Sequence, residues 1–224
     1  MDIYIYQHQG LGDMIANNAL IRHLINLNPK TKKFHIFCKN KHKKSLQFMY
    51  RDEKKISILS ISDDPKHENR DVSKYLSKLR KKYELIKIGH EFYDSTAKLN
   101  PYWDTYPWHC TVNFYKQFGL PLNYRFKNTY WKRDHKREKK LFNKLVGKNK
   151  KFIFLQDDPS RGMTIDTSKI NKNYKIIKND NNHLIFDYGL ILENAKELHL
   201  IDSSLKQLVE NLKIKSKKLY VYRY

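Results

Sequence analysis

The chain has 224 residues, 40% of them hydrophobic, which is enough to bury a sizeable core in one large domain or two small ones. No apolar run approaches the roughly 20 residues that span a bilayer, and no secretory signal opens the chain, so we expect a cytoplasmic protein. The 45 Lys and Arg outnumber the 23 Asp and Glu, which gives a net charge of +22. This excess predicts attraction to phosphates, nucleic acids or anionic membranes, unless it only reflects the lysine-rich composition of an A/T-rich genome.

The first predicted element is a strand at residues 3–6, which are β-branched or aromatic. A Gly-Leu-Gly-Asp turn at residues 10–13 follows, and then a helix with one apolar face that ends at the Asn-Pro pair 28–29. The two glycines let the backbone bend sharply and approach a ligand closely, and the helix start offers N–H groups and a positive dipole end. The turn therefore predicts either ligand binding or a purely structural connection.

Strands and helices alternate as far as residue 89. The predicted strands lie at residues 34–38, 56–59 and 84–89, the predicted helices at 43–50 and 72–83, and a polar loop at 63–69. Alternation of this kind indicates right-handed βαβ units, and hence a parallel sheet in an α/β domain.

An aromatic-rich segment at residues 92–108 is predicted to be a long loop over a pocket, because long loops without secondary structure are often functional. Trp103 in this segment can stack on a sugar acceptor, or it can pack the loop onto the core. His8 and His90 follow predicted strands, and they either line a substrate cleft or are structural.

Two helices are predicted next, at residues 108–118 and 130–145, and the second is strongly basic. Its part from 132 to 144 is a candidate for peripheral contact with an anionic membrane.

A second α/β unit begins at residue 151. Its predicted strands lie at residues 151–156, 174–177, 197–201 and 219–222, and its predicted helices at 188–195 and 203–212. Arg161 follows the first of these strands and an Asp-Ser-Ser turn at 202–204 follows the third, so both are expected at one edge of the sheet. The sequence thus predicts an α/β protein with two Rossmann-like parallel-sheet units facing a cleft, at residues 1–133 and 134–224.

The turns at residues 10–13 and 202–204 resemble those of the GT-B glycosyltransferases, above all the heptosyltransferase-like branch and more loosely the fucosyltransferase-like branch. In that group a Gly-Leu-Gly-Asp turn opens a helix of the N-terminal domain, and an Asp-Ser turn opens a helix of the nucleotide-sugar domain. The resemblance covers the order of elements across most of the chain. It implies a compact GT-B-like fold in which residues 1–133 bind the acceptor and residues 134–224 bind the nucleotide sugar.

The resemblance also implies residue roles. Asp13 is the candidate catalytic base or orients the acceptor, Gly10 and Gly12 bind substrate beside it, and Glu193 binds the ribose of the donor. The alternatives are a helix cap for Asp13 and a solvated helix residue for Glu193.

The chemistry of transfer indicates further donor-binding residues, because the leaving diphosphate must be stabilised as it gains charge. Ser203 and Ser204 offer hydroxyl groups, backbone N–H groups and a helix dipole, and the forked guanidinium of Arg161 suits a phosphate. Asp202 can orient these groups or bind a ribose hydroxyl. The alternatives are an ordinary helix N-cap at Asp202 and Ser203, and a surface arginine at position 161.

The predicted function is transfer of a sugar from a nucleotide-sugar donor to a glycan or glycolipid acceptor, with no metal ion and no cofactor. The histidines and the two cysteines, Cys38 and Cys110, show no metal-ligand spacing. Two alternatives stay open. One is a basic nucleic-acid-binding module, although no nucleic-acid-binding motif is present and no specific nucleic acid is expected. The other is a protein of the same fold that binds a nucleotide or glycan without turnover.

Overall fold

A computed structural model of the chain describes residues 1–7, 10–89, 109–148, 151–159, 162–168, 170, 173–180, 182–216 and 218–223, with only the backbone described at 109 and 110. The chain forms two compact units, Met1–Lys132 and Arg133–Tyr224.

Unit 1 is built on a four-stranded parallel sheet. Its strands are β1 (Asp2–Gln7), β2 (Phe34–Lys39), β3 (Ile56–Ile61) and β4 (Tyr83–Ile88), in the spatial order β3-β2-β1-β4. Its described α-helices are α1 (Leu11–Ala16), α2 (Asn18–Leu27), α3 (Lys43–Met49), α4 (Glu68–Leu76), α5 (His109–Lys116) and α6 (Asn123–Asn128). Both neighbours of β1 are strands, and β1 is buried along nearly its whole length, as a central parallel strand should be.

Side chains of the unit 1 sheet alternate between its two faces. On one face Tyr4, Tyr6 and Phe37 pack against Val72 and Leu76 of α4. The stacked and edge-on contacts of Tyr4 with His35 and Tyr83 extend this aromatic layer across three strands.

The helix predicted after the glycine turn is divided in the structure at Asn17. Asn17 leaves helical geometry (φ −84°, ψ 1°), its side chain donates a hydrogen bond to Gln7, and the Tyr115 hydroxyl donates to the carbonyl oxygen of Ala16 at the break. Tertiary partners that lie 10 and 99 residues away therefore decide where the helix is interrupted.

Two other predicted helices have different bounds in the structure. The helix predicted at residues 72–83 is α4, which begins seven residues after β3 ends and stops at Leu76, because the chain must reach Tyr83 to pair with Asp2. The basic helix predicted from residue 130 starts only at His135, because the Asp134 carboxylate accepts a hydrogen bond from the Arg137 backbone N–H and caps it there.

Unit 2 is also built on a four-stranded parallel sheet. Its strands are β5 (Phe152–Leu155), β6 (Lys175–Lys178), β7 (Leu198–Ile201) and β8 (Leu219–Tyr222), in the spatial order β6-β5-β7-β8. Its described α-helices are α7 (His135–Leu145), α8 (Gly189–Asn194) and α9 (Ser204–Val209), and a 3-10 turn at Ile185–Tyr188 precedes α8.

Different segments of the chain pack on the two faces of the unit 2 sheet. On one face the rings of Phe152 and Phe154 contact Phe142 of α7 and Tyr188, with ring centroids 5.9 and 5.7 Å apart. The other face packs Ile153, Leu155 and Ile201 against Ile165 and Ile170 of the connection between β5 and β6.

The predicted fold class is confirmed: the chain is α/β, with two units that each contain a four-stranded parallel sheet and helices. In the part of the chain that the structure describes, no helix combines the length and the apolar composition needed to cross a bilayer.

Candidate functional site

The order of strands creates a switch point in unit 2. From β5 the chain goes first to β6 on one side and later to β7 on the other, so the connections after β5 and β7 leave the same sheet edge in opposite directions. In open parallel sheets, ligands bind at the carboxyl ends of the strands at such a point. Gln156 directly follows β5, and Asp202 and Ser203 directly follow β7.

Ser203 has the N-cap position of α9 but does not use its hydroxyl as a cap. Instead, its Oγ accepts a hydrogen bond from Nε2 of Gln156 at 2.5 Å, across the switch point. Among the described residues, nothing accepts a hydrogen bond from the backbone N–H groups of Ser203 and Ser204. The Ser203 hydroxyl is therefore turned toward the sheet edge. The backbone N–H groups at the start of α9 remain able to donate hydrogen bonds to another molecule.

Gln156 contributes an unsatisfied acceptor to the same place. The residue is only 6% exposed, and within the described ranges its Oε1 has no hydrogen-bond partner. A buried amide oxygen without a partner costs about 1–3 kcal/mol, and a ligand or an ordered water at the switch point could supply the missing donor.

Asp202 is placed at the switch point but is already paired. Its Oδ1 lies 3.4 Å from Nζ of Lys206, and its Oδ2 lies 3.7 Å from Nε of Arg223. Lys206 is buried in α9 and also pairs with Glu210 at 3.2 Å. These cations hold the Asp202 carboxylate beside the first turn of α9, where Ser204 begins the helix.

The loop after β5 is held by Asp157. One carboxylate oxygen accepts a hydrogen bond from the Ile165 backbone N–H at 2.9 Å, and the other pairs with Lys178 at 2.6 Å. Asp158 and Met163 close the loop by an antiparallel bridge, with Gly162 in the left-handed region (φ 69°). Arg161 belongs to this loop but lies outside the described residues.

Glu193 is placed in α8, where it pairs with Arg133. Nη1 of Arg133 donates to Oε1 of Glu193 at 2.6 Å, and Nη2 donates to Oε2 at 3.0 Å. The same guanidinium binds Glu138 of α7, whose side chain is 2% exposed, with Nε donating to Oε1 at 2.9 Å. These carboxylates, Glu138 first, raise the pKa of Arg133 above its usual range. The ribose-binding role expected for Glu193 stays a prediction, and its pairing with Arg133 is a structural role that the sequence did not indicate.

In unit 1 the glycine turn has a different geometry from the expected one. Gly10 is the N-cap of α1 with φ −71° and ψ 137°, and Gly12 lies inside the helix, so neither needs the left-handed region. A Cβ at position 10 would lie 2.7 Å from Oδ2 of Asp13, the end of a flexible side chain, so a larger residue here would displace the Asp13 carboxylate from its present position. Asp13 is thus in the first turn, not at the N-cap, with its carboxylate folded toward Gly10 and partly exposed.

Sequence reasoning missed a feature that the two units share: a glutamine at the carboxyl end of the first strand. Gln7 ends β1, is fully buried, and accepts a hydrogen bond from Asn17 at 3.2 Å, much as Gln156 after β5 binds Ser203. The signal was present in the sequence, because in both places an apolar strand ends in a glutamine. Only the sheet topology, in which β1 lies between β2 and β4 just as β5 lies between β6 and β7, shows that each glutamine lies beside a switch point.

Unit 1 also contains a cavity of about 270 Å³ at the carboxyl ends of β2 and β3. Its lining includes Ser62, Lys74, Tyr75 and Lys78. The Ser62 backbone N–H donates to Asp71, also in the lining, and this bond lowers the pKa of that carboxyl group. No local pattern in the sequence indicates this cavity, because its lining combines residues of β3 and α4 with residues that follow β2, β3 and α4.

Four of the predicted site residues lie outside the described residues: His8, His90, Trp103 and Arg161. Among the side chains that are described, no group of three or more His, Cys, Asp or Glu could hold a metal ion.

A comparison with models of known protein families gives no match, and a comparison with curated proteins gives none either. Among solved structures, the chain is similar to the crystal structure of a glycosyl transferase family 9 protein from Veillonella parvula DSM 2008. The TM-score is 0.53 at 9% sequence identity, and the match covers 100% of this chain and 88% of the other. At this identity the likeness shows the fold alone.

Proposed function

We propose that the protein is a glycosyltransferase that moves a sugar from a nucleotide-sugar donor to a glycan or glycolipid acceptor, without a divalent metal ion. The fold shared with a glycosyl transferase family 9 structure supports the general class. The observation that carries the proposal is the pairing of Ser203 with Gln156 at the unit 2 switch point, beside the unsatisfied Gln156 oxygen.

In this proposal the diphosphate of the donor binds at the carboxyl edge of the unit 2 sheet. The backbone N–H groups and hydroxyls of Ser203 and Ser204 donate to the phosphate oxygens, and Arg161 adds a charged fork. Oε1 of Gln156 accepts a hydrogen bond from a hydroxyl or N–H group of the bound nucleotide. Asp202 and Glu193 are the candidate partners of the ribose hydroxyls.

Unit 1 then supplies the acceptor side of the reaction. Asp13 takes the proton from the attacking hydroxyl, a task suited to a partly exposed carboxylate at a helix start. Gly10 leaves room for that carboxylate, and Gly12 lies beside it in α1. His8, His90 and Trp103 are proposed to contact the acceptor.

The donor site is tested by thermal unfolding of the full chain with ADP, GDP, UDP and the corresponding nucleotide sugars. A ligand that binds only the folded state raises Tm by mass action. We expect one nucleotide to raise Tm, and the shift to shrink in Ser203→Ala and in Gln156→Leu. Gln156→Leu should itself leave Tm nearly unchanged, because it removes a hydrogen bond and an unsatisfied buried oxygen together.

Ser73→Ala is the matched control for the loss of a hydroxyl, because Ser73 is exposed on α4 in unit 1. A full nucleotide shift in Ser203→Ala and Gln156→Leu, or no shift with any nucleotide near millimolar concentration, contradicts the proposed donor site.

The transfer step is tested with Asp13→Asn and the nucleotide sugar that the first experiment identifies. Loss of a general base lowers turnover by about 10²–10⁴-fold, measured as release of nucleoside diphosphate, while the nucleotide-induced Tm shift stays. Glu84→Gln, an exposed acid on β4, is the control. Nucleotide binding without release by the unmodified protein would instead indicate a binding protein of this fold.

A further inference from the structure

Helix α7 has two faces of opposite character. On one face, Glu138 and Leu141 are buried against the rest of unit 2, and Phe142 contacts Phe152 of the sheet. The opposite face carries Lys136, Lys139, Lys140 and Lys144, all exposed. At 100° per residue, these four lysines span less than half of the helix circumference. The charge of this segment is therefore gathered on one outward side, which we call the α7 lysine face.

The acidic side chains near this face have other hydrogen-bond and ion-pair partners. Residues 132–148 contain eight Lys or Arg and two acids, Asp134 and Glu138. Asp134 caps the helix, and Glu138 binds Arg133. Arg137 pairs with the buried Asp187. In the described parts of the chain, none of the four lysines of the face forms an ion pair.

The spacing of these lysines opposes the stability of the helix. Lys136, Lys140 and Lys144 follow each other at four-residue intervals, and like charges at this spacing repel on a helix. An overall lysine-rich composition does not require this alignment. An anionic partner that lies along the face would relieve the repulsion at each position.

We propose that the α7 lysine face binds the surface of an anionic lipid bilayer. The row from Lys136 to Lys144 covers about 12 Å of one side of a rigid helix, a geometry that matches a flat charged surface. Lysine is a point charge on a flexible stem, suited to many headgroups without fixed geometry. The apolar side of α7 is buried in unit 2, so the contact is electrostatic and involves no insertion.

A lipid surface fits this face better than a single-stranded nucleic acid does. Non-specific binding of single strands combines a basic groove with aromatic side chains on which bases stack. The four residues of the face are all lysines, and no aromatic side chain lies among them. The association goes beyond the proposed transfer reaction and does not require it.

The experiment is sedimentation of the full chain with vesicles of phosphatidylcholine alone, or of three parts phosphatidylcholine to one part phosphatidylglycerol. A basic residue near such a surface strengthens binding about fivefold, so Lys136→Gln/Lys140→Gln/Lys144→Gln should weaken binding to the anionic vesicles about a hundredfold. Binding should also fall steeply as salt rises from about 25 mM to 150 mM, because the Debye length shortens to about 8 Å. The triple variant should unfold at the same or a higher temperature, since it removes like-charge repulsion.

Lys30→Gln/Lys32→Gln/Lys54→Gln is the matched control, because it removes three exposed lysines from unit 1. The proposal expects this variant to bind anionic vesicles nearly as well as the unmodified protein. An equal loss in both triple variants, equal binding to neutral vesicles, or no binding at low salt overturns it. So does tighter binding of the α7 face to a DNA duplex than to the anionic vesicles.

Discussion

At the scale of single residues, Gly89 determines the backbone conformation of unit 1 where β4 ends. Gly89 has a φ of 81°, in the left-handed region, and a Cβ there would lie 2.2 Å from the ring of Phe114, which is fully buried in α5. The backbone N–H of Gly89 donates a hydrogen bond to Oε1 of Gln117, the residue that follows α5. Gly89 is therefore required twice, by its own dihedral angle and by the close approach of the ring.

This double requirement leads to a stability prediction. Gly89→Ala should lower the free energy of unfolding by about 2–4 kcal/mol, measured by urea denaturation, because strain at positive φ adds to a clash with a ring that cannot move. Gly119→Ala is the matched control, because Gly119 also has a positive φ (69°) but no atom within 4 Å of the added Cβ, so it should cost only about 1 kcal/mol. Equal effects of the two substitutions would contradict the close contact.

His42 gives a prediction for pH. Burial, and then the charges of Lys41 and Lys39, lower the pKa of His42 from 6.5 to about 4. Between these values the unfolded chain binds a proton that the folded chain does not, so unfolding becomes easier as pH falls from 6.5 to about 4. Because water partly screens the ring, we expect this histidine to account for about 1–2 kcal/mol of the loss. His42→Gln should flatten the stability profile in that window, and an unchanged slope would show that His42 does not cause it.

At the level of elements, Arg133 ties α7 to α8. Its guanidinium binds the carboxylates of Glu138 and Glu193, and a Cβ on Gly189 at the start of α8 would lie 2.9 Å from both Nη2 of Arg133 and Oε2 of Glu138. Glu193 also accepts from the Lys213 backbone N–H, in the segment that leads to β8. One ion-pair cluster therefore connects α7 to α8 and to the segment between α9 and β8.

The cluster predicts that lysine cannot replace this arginine. Arg133→Lys should lower the free energy of unfolding by about 1–3 kcal/mol and Arg133→Gln by about 3–5 kcal/mol, because Glu138 is buried and would lose a charged partner. Arg137→Lys, at a half-exposed guanidinium on the same helix, should change it by less than about 1 kcal/mol. Calorimetric unfolding of the three variants measures the difference, and similar Tm values for all would contradict the structural role of the cluster.

At the level of the whole molecule, the net charge of +22 predicts a general attraction to nucleic acids, which differs from recognition of one sequence. We expect DNA of any sequence to bind at low salt and to be released steeply as salt rises, since this attraction comes from counterion release. Fluorescence anisotropy with two unrelated duplexes over a salt series is the measurement. Binding that persists at about 0.3 M salt and prefers one sequence would favour the nucleic-acid-binding alternative over the proposed transferase.

The sequence by itself determined the α/β class and the sites of the eight strands in the described part of the chain, because burial of an apolar run such as residues 3–6 or 151–156 is a local property of the chain. It also predicted Ser203 and Asp13 as site residues, since polar turns between a strand and a helix are local as well, and these two roles stay predictions. It misplaced the start of α7 and missed the break at Asn17, because these depend on a capping carboxylate and on a tyrosine 99 residues away.

Only the tertiary structure decided which strands are neighbours, and therefore where the switch point lies. Strand order is set by contacts between residues far apart, so no local pattern could show that the Ser203 hydroxyl meets Gln156, 47 positions earlier. The same reason explains why the sequence did not show that Glu193, for which the family resemblance implies ribose binding, is paired with Arg133, 60 positions earlier. The sequence fixes which groups the chain carries, whereas packing in three dimensions decides which of them find partners in the protein and which remain for a ligand.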